Sequence, residues 1–304
     1  MSMFTPASHP EATLADPFAG LWVPIVTPFR AGQVDHQALG RLTRHLASAG
    51  IAGFVVCGST GEAAALEPEE AWASLVTVAA HANGLPLMMG VGGEHLGHAR
   101  ARVCEAGRLA RTQVPTLRAL LVSAPQYVRP SQSGVRGWFE SLADSGELPL
   151  VLYDIPYRTG VSVHRDTLLA LAAHPRIRAI KDCGGDLGKT LAVLADGRLA
   201  VLAGEDLQLF SHLAQGAVGA IAASAHLQTA RWVQLLKWVQ QGHLREARAL
   251  WAQLVPMIEL LFSEPNPGPV KAALAQSGWM AHELRPPMQP VSEALAQRLR
   301  ALAV

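Results

Sequence analysis

Lys181 closes the apolar run Ile177-Arg178-Ala179-Ile180-Lys181, about one strand-plus-helix unit after Tyr153-Asp154-Ile155-Pro156-Tyr157-Arg158-Thr159-Gly160. Only four lysines (Lys181, Lys189, Lys237, Lys271) stand against twenty-one arginines, so a lysine at a strand end is conspicuous. A guanidinium stays charged in a protein, whereas a desolvated lysine can lose its proton and attack a carbonyl to form a Schiff base. A snorkelling surface lysine is the competing reading. A nucleophilic amine also needs a proton acceptor, and a phenol linked through a hydroxyl can pass the proton along. Two of the three tyrosines, Tyr127 and Tyr153, fall at the ends of strand-like runs, with structural burial as the rival account of each. In Cys57-Gly58-Ser59-Thr60-Gly61-Glu62 two glycines flank hydroxyls and leave backbone N–H groups free for an anion such as a carboxylate. An ordinary glycine turn with a threonine cap is the alternative there.

These candidates share one kind of position. From residue 21 onward, eight short β-rich runs fall at 21–27, 51–57, 86–90, 116–122, 149–153, 177–181, 199–203 and 217–222. Between them lie helix-like stretches such as 36–49, 69–81, 99–110, 135–143, 165–173 and 207–215, most with apolar residues at three- and four-residue spacing. Such alternation implies parallel strands with right-handed crossovers, and eight repeats suit a closed (β/α)8 TIM barrel better than a doubly wound sheet. After 228–240 the pattern becomes purely helical, at 244–262, 270–276 and 291–302, with a Pro/Gly break at 264–269. The chain therefore reads as a flexible N-terminal tail (1–20), a catalytic barrel (21–240) and a small C-terminal helical appendage (241–304) packed on it. Reactive residues of such barrels sit at the C-terminal strand ends, where these candidates fall.

With 304 residues, half of them hydrophobic, the chain can bury a sizeable core. A net charge of +1 with interspersed signs gives no basic stripe for a phosphate backbone, so small molecules rather than nucleic acid are the expected partners. No apolar stretch approaches a bilayer span, and residues 1–20 carry Asp, Glu and Pro where a secretory core would be, which reads as a cytoplasmic protein with no membrane partner. Cys57, Cys104 and Cys183 form no CxxC pair and read as structural thiols of a reducing compartment. No metal is expected, since His95 and His98 lack a third ligand. Gly188-Lys189-Thr190 fails as a phosphate loop because Cys183 occupies the place of its first glycine. Gly90-Val91-Gly92-Gly93 fails as a dinucleotide turn because His95 occupies the place of its third.

Gly58-Ser59-Thr60-Gly61-Glu62, the Tyr153 to Gly160 motif, Ala179-Ile180-Lys181-Asp182, Ala203-Gly204-Glu205-Asp206 and Glu264-Pro265-Asn266-Pro267-Gly268-Pro269-Val270-Lys271 together resemble the dihydrodipicolinate synthase/N-acetylneuraminate lyase family, in order from about residue 20 to the C-terminus. The resemblance implies a class I aldolase that carries pyruvate as an imine on Lys181, needs no metal or organic cofactor, and assembles as a homotetramer of tight dimers. It further implies that Tyr153 shuttles protons and that Thr60 links Tyr153 to Tyr127, the latter contributed by a neighbouring subunit. Backbone amides around Ser59 and Thr60 would hold the pyruvate carboxylate, with Ile221 lining the pocket near Gly204. Arg158 matches the synthase branch, where a bidentate guanidinium binds the carboxylate of L-aspartate 4-semialdehyde; sialic acid lyases usually lack it. A sister aldolase or dehydratase acting on a sugar-acid-type substrate is the alternative. A non-catalytic 2-keto-acid sensor is a further one, disfavoured by the intact relay. Ala124, Gln126, Asp154 and Asp182-Cys183-Gly184-Gly185 depart from the synthase pattern, which bears on the acceptor aldehyde more than on pyruvate. Pro68, Ala71, Glu94, His98 and Gln126 stand where feedback-inhibited relatives hold L-lysine, so insensitivity to lysine is expected.

Overall fold

In the computed structural model, which describes residues 16–301, eight parallel strands close into a barrel. They are β1 (Gly20–Pro24), β2 (Gly53–Val56), β3 (Leu87–Val91), β4 (Leu117–Ser123), β5 (Leu150–Asp154), β6 (Ile177–Asp182), β7 (Ala200–Ala203) and β8 (Gly219–Ile221). Each pairs with its sequence neighbours, and β8 pairs back onto β1. Both strand faces are covered, which is why the strands are almost continuously apolar. One row of side chains, including Trp22, Val55, Met88, Val151 and Leu202, fills the barrel, while the other packs under the helices. Interior residues are matched in size: a Cβ on Gly53 would lie 2.4 Å from the Trp22 ring, so the glycine makes room for the indole. Burying a side chain of that size contributes roughly 3 kcal/mol.

Helices begin where the sequence supplies caps. Asp35 accepts from the Ala38 amide ahead of His36–Ser48, and Asp186 accepts from the Lys189 amide ahead of Leu187–Asp196. The latter helix fills a crossover that the periodicity leaves unassigned. The first strand stops at Pro24 rather than residue 27, and a small hairpin, Phe29–Arg30 with Gln33–Val34, follows it through Ala31 and Gly32, both at positive φ. The last strand shortens to Gly219–Ile221.

Beyond Thr229–Gln240, the helices Leu244–Leu261, Gly268–Gln276 and Glu293–Leu299 complete the chain. Lys271 anchors them: wholly buried, it donates to the Thr27 carbonyl at 2.9 Å and to Glu62 at 2.5 Å. The Arg285 amide donates to the other oxygen of Glu62 at 3.1 Å, while its guanidinium forks onto Glu70. Residues 1–15 of the expected tail, and residue 302 of the expected last helix, lie outside the described residues. Among the described residues no helix is long and apolar enough to cross a membrane.

Candidate active site

β5 and β6 lie side by side with Tyr153 opposite Lys181 in register. Paired residues of parallel neighbours project to the same face, here the barrel interior. Lys181 Nζ lies 4.3 Å from the centre of the Tyr153 ring, and the two residues are 6% and 9% exposed. Burial, more than the neighbouring Cys183 and Tyr157, lifts the Tyr153 phenol well above its ordinary value, so it stays protonated through the neutral range and can donate. Gly204, just past β7, makes room for the lysine: a Cβ there would lie 2.6 Å from Lys181 Cγ and 2.5 Å from Cys183 Sγ. Ile221 is buried in the same interior cluster. Burial pushes the Cys183 thiol up to about 12, so it sits there as a neutral thiol.

The loop after β2 turns sharply, with Cys57 and Glu62 at φ of 53° and 54°. The Gly61 and Glu62 amides bond back to the Gly58 and Ser59 carbonyls at 3.0 and 3.1 Å, which leaves the Ser59 and Thr60 amides with no acceptor among the described residues. Consecutive free amides of this kind form an anion nest. Ser59 lies close enough to the Tyr153 phenol to pull its pKa down against the burial, whereas Thr60 Oγ1 accepts from Asn266 Nδ2 at 3.0 Å. Thr60, the expected link, thus has its hydroxyl engaged by Asn266; adjacent loop residues point different ways, and spacing does not tell which faces the phenol. Asn266 joins the site unforeseen, with only its motif Glu264-Pro265-Asn266-Pro267 as a signal, and its Oδ1 is buried without a partner.

Tyr127 stays outside this pocket, 91% exposed and at φ 68° on the loop after β4. Arg158 occupies the one-turn helix Pro156–Thr159 directly after β5, exposed, with Cζ 5.8 Å from the centre of the Tyr157 ring. Gly160 ends that turn at φ 78°, where a Cβ would lie 2.7 Å from Arg129 Nε.

One residue past Tyr153 and Lys181, Asp154 and Asp182 are again in register. Strand alternation turns both away from the pocket. Asp154 pairs with buried Lys189 and accepts from the Val163 amide at 3.0 Å. Asp182 accepts from Thr190 Oγ1 at 2.5 Å and the Gly184 amide at 2.9 Å, with His212 Nε2 at 3.6 Å. Burial raises the Asp154 carboxyl more than Lys189 lowers it. At Asp182 burial raises the carboxyl, but the bonds from His212, Thr190 and Gly184 outweigh it and hold it below the ordinary value. Two of the departures from the synthase pattern thus belong to an ionic layer behind the site, and Lys189 and Thr190, part of the failed phosphate-loop signal, are its partners.

The sequence model of the dihydrodipicolinate synthetase family matches residues 17–303. The 4-hydroxy-tetrahydrodipicolinate synthase 2 of Clostridium acetobutylicum is 35% identical over 284 residues, 92% of this chain and 97% of that protein. The 4-hydroxy-tetrahydrodipicolinate synthase of Pelobacter propionicus is 36% identical over 280 residues, 91% of this chain and 94% of that protein. The solved structure of the 4-hydroxy-tetrahydrodipicolinate synthase of Methylacidiphilum fumariolicum superposes with a TM-score of 0.88 at 32% identity and covers 93% of each chain.

Proposed function

The chain belongs to the dihydrodipicolinate synthetase family, and from that premise we propose that it is a class I aldolase-type lyase condensing pyruvate with L-aspartate 4-semialdehyde, the 4-hydroxy-tetrahydrodipicolinate synthase reaction. The Lys181 amine set 4.3 Å from the Tyr153 ring inside the barrel mouth carries this reading. The Lys181 amine adds to C2 of pyruvate while the Ser59 and Thr60 amides hold the substrate carboxylate, and loss of one water gives the imine. The imine nitrogen is the electron sink, so the chemistry needs neither a metal nor an organic cofactor. Loss of a C3 proton gives an enamine whose C3 attacks the aldehyde carbon, with the acceptor's carboxylate on Arg158. Tyr153 gives and takes the protons, through Ser59 and the partner subunit's Tyr127. The acceptor's own amine then displaces Lys181 from C2 and closes the ring, so the water lost on forming the imine is the only one released. The exposure of Tyr127 supports tight dimers, which pair into a homotetramer.

Borohydride in the presence of pyruvate should add one reduced pyruvate per chain at Lys181, and Lys181→Ala should abolish the adduct. An adduct mapped to Lys189, Lys237 or Lys271 overturns the assignment. A coupled assay setting aspartate semialdehyde against sugar-derived aldehydes tests the acceptor.

A further inference from the structure

The strand end after β7 presents a carboxylate that forms no ion pair and no hydrogen bond among the described residues. Gly204 is fixed beside the reactive amine: its amide donates to the Asp182 carbonyl at 3.0 Å, and its missing Cβ leaves the space taken by the Lys181 stem. Glu205 is therefore held one residue beyond Lys181's resting place, at the pocket rim. It is half-buried and lies within the field of Lys181, Cys183 and Tyr157. Its neighbour Asp206 is wholly committed, accepting from the Ser224 amide at 2.8 Å and from the Ser224 hydroxyl. The Glu205 carboxylate, by contrast, accepts no hydrogen bond among the described residues; burial first and then Asp206 raise its pKa, against the pull of Lys181 and His212.

A half-buried carboxylate without donors has lost hydration it has not replaced, so a ligand bringing N–H donors and positive charge is favoured there. Tyr157 connects this carboxylate to Arg158: its ring lies 5.8 Å from Arg158 Cζ and its hydroxyl is in the field of Glu205. The reactive amine thus has Glu205 in its field, and the Tyr153 phenol beside it has Arg158.

We infer that Glu205 is a specificity-determining residue that receives the ammonium group of an amino-acid aldehyde while Arg158 receives its carboxylate, so that the site selects a zwitterionic acceptor over one lacking the amine. The assignment rests on the pyruvate-aldolase reading above and names the feature of the second substrate that this rim recognises. A sugar-derived aldehyde offers hydroxyls to Glu205 but no charge, and an aldehyde bearing only a carboxylate leaves Glu205 desolvated without a partner.

The experiment compares wild type, Glu205→Gln and Glu205→Asp with aspartate semialdehyde as substrate and succinate semialdehyde, which lacks only the amine, as competitive inhibitor. Glu205→Gln should lower kcat/KM for aspartate semialdehyde by about tenfold or more, the loss of one charge-assisted hydrogen bond, and leave the Ki of succinate semialdehyde unchanged. Glu205→Asp should recover part of the loss. The borohydride-trapped pyruvate adduct, formed before the acceptor binds, should be equal in all three proteins and reports an intact site. Equal losses for both aldehydes, or no loss for aspartate semialdehyde, overturn the role of Glu205 while leaving the synthase reading in place. A wild type that forms the adduct yet condenses no aspartate semialdehyde overturns the acceptor itself, and this assignment with it.

Discussion

Charged residues have two assignments here: Arg158 to the second substrate, and a buried ion pair to the fold behind the site. Arg158→Ala should leave pyruvate imine formation intact and weaken the aldehyde step by roughly 1.5–3 kcal/mol, because the guanidinium is assigned to the second carboxylate alone. Steady-state kinetics beside borohydride trapping decides it; equal loss in both would mean that Arg158 holds pyruvate or the loop. Behind the pocket, Asp154 and Lys189 form a buried pair. Asp154→Asn alone strands the Lys189 ammonium, and Lys189→Met alone strands the Asp154 carboxyl; breaking a buried pair from one side costs about 3–5 kcal/mol. The double variant removes both charges and should regain most of that loss in urea unfolding, whereas additive losses would mean that the two groups stabilise the fold independently.

The eight strands and the strand-end placement of Lys181 and Tyr153 are legible in the sequence because β period and βα alternation are local signals. The engagement of Thr60 by Asn266 and the Lys271 anchor are not legible, because each depends on contacts between segments about two hundred residues apart. The ionic layer is intermediate: strand alternation turns Asp154 and Asp182 outward, but nothing local says that the helix Leu187–Asp196 supplies both Lys189 and Thr190. Gly204→Ala should fold and yet form the pyruvate imine far more slowly, since its methyl would contact Lys181 Cγ at 2.6 Å and displace the stem; an unchanged trapping rate would show that the strand end yields instead. The layer also sets a pH window. Burial depresses His212, but Asp182 and the Gln208 carbonyl outweigh it and raise its pKa, so its stabilisation is full below the unfolded value of about 6.5 and is lost as pH rises through the folded one. Asp182, held low, stabilises above its unfolded value of about 3.9 and loses this as pH falls through the folded one. The melting-temperature difference between wild type and His212→Asn should therefore be largest below the unfolded value of His212 and shrink as pH rises through the folded one.

At the scale of the whole molecule, the barrel holds Lys181 and Tyr153, the C-terminal helices pin the loop after β2 through Lys271 and Glu62, and Tyr127 points outward on the surface proposed above to pair with a second copy. That surface bears on regulation: this protein should be insensitive to L-lysine at millimolar concentrations even as a true synthase. Feedback inhibition at such an interface needs polar side chains to take the inhibitor's carboxylate and ammonium. At the corresponding places stand Pro68, the first residue of Pro68–His81, and Ala71 in the same helix, neither of which can donate or accept through its side chain. Gln126, beside Tyr127, lacks a phenol but keeps an amide, so Gln126, Glu94 and His98 are the polar groups at these places. Of these only Glu94 brings a carboxylate to the ammonium, and none brings a permanent positive charge to the inhibitor's carboxylate. Each lost charge-assisted bond weakens binding roughly tenfold or more, so several lost together move a sub-millimolar site out of range. Titrating L-lysine at sub-saturating pyruvate should leave the rate unchanged; half-inhibition below about one millimolar would show that the interface binds lysine through groups other than these.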